Sequence, residues 1–198
     1  MSFEVIKEFE NKIAKFYGSP YAVAVDCCTH AIELCLRYKD VKKFTVPPNT
    51  YPSVPNLAEK IGIEFDWEEK EWEDYYYLGG TNIIDAAVYW KRDSYIADSL
   101  MCLSFQFQKH LSLGRGGMIL TDDKNAKDEL KKMSYDGRVP DSPWREQNIS
   151  TMGYHYYMTP ETAQSGLDKL QNAIDTEPRQ WIVEDWPDLR EMDLYKDV

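Results

Sequence analysis

The segment Ser104-Phe-Gln-Phe-Gln-Lys109-His-Leu-Ser-Leu-Gly-Arg-Gly-Gly-Met118 decides the fold. Apolar runs flank it, and they predict a buried strand over residues 100–107 and a second strand over residues 117–121, after a glycine-rich turn. Most lysines lie on solvated faces, so a lysine between two buried strands is unusual. A lysine that is partly desolvated beside a pocket has a lowered pKa and can form a Schiff base with a carbonyl. The alternative, still open here, is a lysine at the sheet edge whose amine reaches water.

Composition and charge exclude several classes of protein. The chain has 198 residues, of which 43% are hydrophobic and 14% aromatic, and this indicates a folded α/β domain rather than a disordered chain. Its net charge of -11 opposes binding to nucleic acid or to anionic membranes, so a phosphorylated ligand must be held locally by backbone N–H groups and a few side chains. The sequence contains no apolar stretch long enough to span a bilayer and no signal peptide, and we expect a cytoplasmic protein.

The four cysteines predict neither a metal site nor a disulfide framework. They lack the Cys-x-x-Cys spacing of zinc sites, and adjacent cysteines rarely bridge each other. We therefore expect them to be reduced and mostly buried; they are Cys27, Cys28, Cys35 and Cys102.

Two further segments are candidate parts of a site. An apolar strand over residues 21–25 leads through a turn into a helix, for which Thr29 is a plausible N-cap, and a turn of this type points free N–H groups at one place and suits a phosphate. The acidic residue Asp85 ends the apolar run 83–85, so it is expected at the carboxyl edge of the sheet, where α/β proteins bind ligands. Each residue also has a purely structural alternative, since Thr29 could simply cap its helix and Asp85 could cap the following turn.

The lysine segment resembles the cofactor-binding segment of the DegT/DnrJ-type sugar aminotransferases. The shared pattern is Ser-Phe-x-x-x-Lys, Gly-x-Gly-Gly, a short β run and Thr-Asp-Asp. The resemblance implies the large domain of a fold-type I enzyme, with a mostly parallel sheet flanked by helices. It also implies that Lys109 forms a Schiff base with pyridoxal 5'-phosphate (PLP) and shuttles the proton, and that Ser104 binds the cofactor phosphate.

Other segments extend the resemblance. The run from Ala24 to Ala31 is similar to the phosphate turn of the family, so Cys28 and Thr29 are candidate phosphate-binding residues, although cysteines stand where the family has Ser and Gly. By the same resemblance Asp85 pairs with the pyridinium nitrogen, and Tyr51 stacks on the ring. Tyr51 could instead pack against the neighbouring proline in a loop.

A tyrosine-rich segment near the C-terminal helix resembles the family segment that reaches a neighbouring subunit. Here the sequence is Gly153-Tyr-His-Tyr-Tyr-Met158, in which His155 replaces the Asn that contacts the partner's cofactor phosphate. The resemblance therefore implies a homodimer with shared active sites. The alternative is a surface histidine.

The resemblance covers roughly residues 9–170, and members of the family are about twice as long. It implies that the small C-terminal domain is largely missing, so we expect a PLP-binding domain over residues 1–172 and an acidic, aromatic tail over residues 173–198 that is docked or binds a partner. The function implied is transfer of an amino group from an amino acid, expected to be glutamate, to a keto nucleotide-sugar. The alternative is a catalytically degenerate PLP-fold binding or partner protein.

Overall fold

Short strands alternate with helices along the chain, and the computed structural model describes residues 3–182 and 185–196. The helices are α1 (Glu4–Tyr17), α2 (Cys28–Tyr38), α3 (Ser53–Ile61), α4 (Lys124–Ser134) and α5 (Pro160–Asp175). The strands are β1 (Tyr21–Val25), β2 (Lys43–Val46), β3 (Glu64–Trp67), β4 (Tyr76–Tyr77), β5 (Ile83–Asp85), β6 (Leu100–Ser104) and β7 (Gly117–Thr121). Within the described residues, no helix combines the length and the apolar character needed to cross a membrane.

The main sheet has five strands in the order β1-β7-β6-β5-β4, and β2 and β3 form a second, two-stranded parallel sheet. The predicted α/β class with flanking helices is confirmed. The expectation of a mostly parallel main sheet is wrong, because only β5 and β6 pair in parallel there. The connections explain the difference: β6 returns to β7, and β4 to β5, without a crossover helix, and such direct returns give antiparallel pairs.

Helices cover both faces of the main sheet. On one face α2 and α4 pack against Val23, Cys102 and Ile119, and α3 packs against α2 and the two-stranded sheet. On the other face α1 and α5 pack against Ala24, Met101 and Leu120. Successive residues of each strand thus point to opposite helical layers, and a strand buried on both faces is apolar at every position.

Two local predictions need correction. The N-cap of α2 is Cys27, not Thr29: Cys27 is extended, with φ -164°, and its Sγ accepts the N–H of His30. Thr29 therefore lies in the first turn of the helix. The strand predicted over residues 100–107 ends at Ser104, because the chain then turns to bring Lys109 back toward the sheet.

All four cysteines are free thiols, and three of them are buried, as the sequence predicted. The Sγ atoms of Cys35 and Cys102 lie 3.8 Å apart between α2 and β6. The half-buried thiol is that of Cys27, at the start of α2.

Candidate active site

A cavity of about 630 Å³ opens where the parallel strands β5 and β6 end and α2 begins. Asp85 is the last residue of β5 and Ser104 the last of β6, so both side chains reach the same edge of the sheet. Carboxyl ends of parallel strands are the usual ligand sites of α/β folds. The cavity brings together most of the predicted site residues: Cys28, Thr29, Tyr51, Asp85, Ser104 and Lys109.

Lys109 lies in the turn that follows β6. Its backbone N–H donates to the carbonyl of Gln106 at 2.8 Å, which holds the turn closed. Burial lowers the pKa of the Lys109 amine, and the positive charge of Arg179 lowers it further, whereas the negative charge of Asp85 opposes the shift. The amine is therefore partly desolvated, which is the property that favours a nucleophilic lysine.

Asp85 is buried and held by two donors. The hydroxyl of Tyr76 donates to its Oδ2 at 2.8 Å, and the backbone N–H of Ala87 donates to its Oδ1 at 3.0 Å. Burial raises the pKa of the Asp85 carboxyl, while these hydrogen bonds and Lys109 act in the opposite direction. A buried carboxylate in this position is costly unless a cation accompanies it, so the cavity favours a ligand that carries positive charge beside Asp85.

The first turn of α2 forms another wall. The backbone N–H groups of a first turn have no partner within their helix, and here they lie beside hydroxyl groups. The Thr29 hydroxyl is 2.7 Å from the hydroxyl of Ser53, and Ser104 Oγ accepts the N–H of Gln106 at 3.4 Å. Amides and hydroxyls grouped at a helix N-terminus are typical of phosphate sites.

Gly117 is required by the close approach of β7 to this turn. A Cβ at Gly117 would lie 2.5 Å from the carbonyl carbon of Cys27 and 2.7 Å from the nitrogen of Cys28. Close packing therefore explains why the last residue of the Gly-x-Gly-Gly pattern is glycine. Gly114, at the first position, adopts a positive φ of 79°.

A charged network surrounds the start of α2. Asp26 accepts hydrogen bonds from His30 Nδ1 at 2.6 Å and from Arg115 Nη2 at 2.8 Å, and the His30 ring stacks on Tyr156 with centroids 3.6 Å apart. Burial opposes charge on His30, but the hydrogen bonds to Asp26 and Cys27 outweigh it and raise the pKa of His30 to about 9. Asp26, Cys27 and His30 place three potential metal ligands within 4.8 Å of one another. Both carboxylate oxygens of Asp26 accept hydrogen bonds from cations, His30 and Arg115. These positive charges disfavour a metal ion at the same place.

Two of the predicted residues lie apart from the centre of the cavity. Tyr51 lines its mouth and is 57% exposed. His155 does not line the cavity in this protomer; its imidazole is 71% exposed and its Nδ1 lies 3.1 Å from both carboxylate oxygens of Asp136. The exposed position of His155 leaves open its predicted role toward a second subunit.

The C-terminal segment supplies residues that sequence reasoning missed. Trp181 and Trp186 stack on each other with centroids 5.4 Å apart, and both lie over the Lys109 amine. Residues 64–77 supply two more: Trp72 packs against Trp186, and Tyr76 donates a hydrogen bond to Asp85. The aromatic and acidic composition of residues 64–77 and 178–198 was the available signal, but composition alone does not say which face such segments cover.

The fold defines the class: an α/β domain that matches solved structures, a sugar aminotransferase among them. AtS13 from Actinomadura melliaura superposes with a TM-score of 0.76 at 17% identity, over 88% of this chain and 61% of that one. The sugar aminotransferase CalS13 from Micromonospora echinospora superposes with a TM-score of 0.72 at 14% identity, over 86% and 61% of the two chains.

The model of the DegT/DnrJ/EryC1/StrS aminotransferase family matches residues 1–67 and 89–181, and the chain belongs to this family. The spore coat polysaccharide biosynthesis protein SpsC of Bacillus subtilis (strain 168) is 24% identical over 88% of this chain. The match covers 58% of SpsC, so the chain spans a little more than half of that relative. The family match contains Lys109 and the α2 turn but not residues 68–88, where Asp85 lies.

Proposed function

We propose that the protein is a PLP-dependent aminotransferase that moves an amino group from an amino acid, expected to be glutamate, to a keto nucleotide-sugar. The observation that carries this proposal is the half-buried amine of Lys109 in one cavity with the buried carboxylate of Asp85. Membership of the aminotransferase family supports it.

The residues of the cavity fit PLP. The first turn of α2, with the hydroxyls of Thr29 and Ser104, offers donors for a phosphate, and Asp85 offers a buried anion for a protonated ring nitrogen. Tyr51 at the mouth offers an aromatic face. A volume of about 630 Å³ lies within the range of small-molecule sites. When bound, PLP supplies an aldehyde for the lysine and an electron sink for the substrate carbon.

Lys109 has two tasks in this proposal. Its neutral amine is the nucleophile that holds the cofactor, and burial increases the neutral fraction by lowering the pKa. With the cofactor bound, the same amine would be the group that takes a proton from the substrate carbon and returns it as general acid. Lys109 lies in the segment between β6 and β7, and its side chain lines the cavity.

Asp85 acts through charge. Its carboxylate favours a proton on the ring nitrogen, and the positive charge formed there compensates the cost of keeping Asp85 ionised in a buried site. The Tyr76 hydroxyl and the Ala87 N–H fix the orientation of the carboxylate, so that little reorganisation is needed when a ligand binds.

We infer that the active form is at least a homodimer, with His155 of one protomer directed at the phosphate site of the other. The exposed imidazole, which hydrogen-bonds to Asp136 and packs edge-on against Tyr157, supports this role. Light scattering combined with a His155→Ala variant tests it. A monomer that still transaminates would contradict shared sites.

The test of the function is an absorbance spectrum with PLP before and after addition of glutamate. We expect a visible band that requires Lys109 and that moves to the shorter wavelength of the pyridoxamine form with glutamate. Lys109→Ala should lack the visible band, and Lys12→Ala, which alters an exposed lysine outside the cavity, should keep it. A band that is unchanged in Lys109→Ala would overturn the proposal.

The second candidate is a PLP-binding protein without catalysis. Two observations favour it: Cys27 and Cys28 stand in the phosphate turn, and residues of the C-terminal segment line the cavity. It predicts that PLP binds through Lys109 but that glutamate produces no pyridoxamine. The same titration therefore separates the two functions.

A further inference from the structure

The Lys109 amine lies over two indole rings of the C-terminal segment. Lys109 Nζ lies 4.8 Å from the ring centroid of Trp181 and 5.5 Å from that of Trp186. Among the described residues, no carboxylate lies within ion-pair distance of this amine, and no side chain accepts a hydrogen bond from it. An ammonium over the face of tryptophan is attracted by the ring quadrupole, and desolvation strengthens the attraction.

Contacts outside the C-terminal segment hold Trp186 in place. The carbonyl of Trp186 accepts the side-chain amide of Asn49 at 2.7 Å, and the carbonyl of Asn49 accepts the indole N–H of Trp72 at 2.9 Å. Trp72 then packs against Trp186, with ring centroids 5.8 Å apart. Trp186 is therefore held by Asn49, in the loop between β2 and α3, and by Trp72, and not only by its neighbours in sequence.

The anchoring continues further along the C-terminal segment. The backbone N–H of Leu189, which is fully buried, donates to Pro48 at 3.1 Å, and the hydroxyl of Tyr195 donates to Asn56 Oδ1 at 2.6 Å. These contacts join the segment to the same part of the chain that holds Trp186. The indoles thus form a defined wall of the cavity.

We propose that Trp181 and Trp186 form an aromatic cage that binds the ammonium form of Lys109 and must release it before the amine attacks a carbonyl. The pair are positioning residues, because they act through Lys109. The role of the cage in a reaction rests on the proposed function. The contact between the two indoles and the Lys109 amine does not depend on that function. Residue 186 lies beyond the part of the chain that the family model matches.

The charge dependence of the cage has a definite sign. Cation–π attraction stabilises the ammonium, so it favours the protonated amine and opposes the effect of burial. The other charged and titratable groups that act on the amine are Asp85 from β5, Cys28 from α2 and Arg179 from the C-terminal segment, and Asp74, Arg115 and Asp185 also line the cavity. Arg179 also lies 4.2 Å from the centroid of Trp181, so it shares that ring.

The experiment measures the pH dependence of Lys109 reacting with pyridoxal, which lacks the phosphate. In this reaction the neutral amine attacks the aldehyde carbon, a C=N bond forms and water leaves. Trp181→Leu and Trp186→Leu should each move the midpoint of the rate profile to lower pH, by about half a unit to one and a half units, because the ammonium loses its aromatic partner. Phenylalanine at the same positions should give smaller shifts.

The matched control is Trp144→Leu, which removes a half-exposed tryptophan outside the cavity. Its midpoint should equal that of the unaltered protein. The proposal is overturned if the leucine variants do not shift, if the phenylalanine variants shift as far as the leucine variants, or if Trp144→Leu shifts equally.

A second measurement does not depend on the proposed function or on folding of the tryptophan variants. Tryptophan emission of the unaltered protein is recorded against pH, and Lys109→Met serves as the comparison. A step that disappears in Lys109→Met supports the cage, and identical titrations in both proteins contradict it. If pyridoxal does not react at Lys109 while this step is present, the proposed function fails and the cage stands.

Discussion

At the scale of the residue, the central pair is Lys109 and Asp85. Burial shifts their pKa values in opposite directions, lowering that of the lysine and raising that of the aspartate, and so favours the neutral form of both. Their mutual attraction favours both charged forms. The proposed reaction needs a neutral Lys109 and an ionised Asp85. A positively charged group of a ligand beside Asp85 favours this combination, because it stabilises the carboxylate and disfavours the ammonium.

Replacing Asp85 by Asn tests this balance. The substitution keeps the shape of the side chain but removes the charge, so the affinity for PLP should fall by about tenfold to a hundredfold, the usual effect of losing a charge-assisted hydrogen bond. Spectral titration with PLP measures it. Asp74→Asn is the control, because Asp74 lines the same cavity but is exposed. Equal losses in the two variants would mean that the charge at Asp85 has no special role.

At the scale of the element, the decisive structure is the strand–turn–helix formed by β1 and α2. The apolar run of β1 predicted the strand with its observed limits, and the same holds for β7. The helix cap was predicted wrongly, because a cysteine N-cap accepts a hydrogen bond only weakly and threonine is the commoner choice. Asp26 and His30 lie only four residues apart, but the link from Asp26 to Arg115 could not be predicted, since it joins residues far apart in sequence.

The network makes the stability of this turn depend on pH. Because the pKa of His30 is raised to about 9 in the folded state, its stabilising effect is complete below about pH 6.5 and is lost as the pH rises through about 9. His30→Gln should therefore destabilise the protein most near pH 6, by at most about 3 kcal/mol, and little above pH 9.

Urea unfolding of both proteins between pH 6 and pH 10 measures the difference. Lys12→Gln is the control, because that exposed side chain lies outside the network. A difference between the His30 variant and the unaltered protein that stays constant across this range would contradict the assignment.

At the scale of the whole molecule, charge and connectivity shape the site together. The chain carries a net charge of -11, yet Lys109, Arg115 and Arg179 gather around one cavity together with the positive end of α2. Arg115 pairs with Asp26 and Arg179 pairs with Asp185, and Asp74 and Asp85 also line the cavity, so the positive charge there is compensated locally. The direction of the strands and the path of the C-terminal segment depend on long-range contacts, and for that reason local sequence patterns did not predict them.

The docking of the C-terminal segment is testable through Leu189. This side chain is fully buried, so Leu189→Ala should weaken docking by about 2–5 kcal/mol. Hydrogen exchange should report it as a loss of protection, by tenfold or more, at the amides of Leu189 and Tyr195, which are hydrogen-bonded in the structure. Leu194→Ala, at a position 70% exposed, should leave exchange unchanged. Equal effects of the two substitutions would show that the segment is not docked as described.

The central claim is that the amine of Lys109 holds the cofactor. The measurement that tests it most directly is reduction of the protein–PLP mixture with borohydride, followed by mass spectrometry of the digested chain. The account predicts a single pyridoxyl label on the peptide that contains Lys109, and no label there or elsewhere in Lys109→Ala. A label on another lysine, or equal labelling of the Lys109→Ala variant, would contradict it.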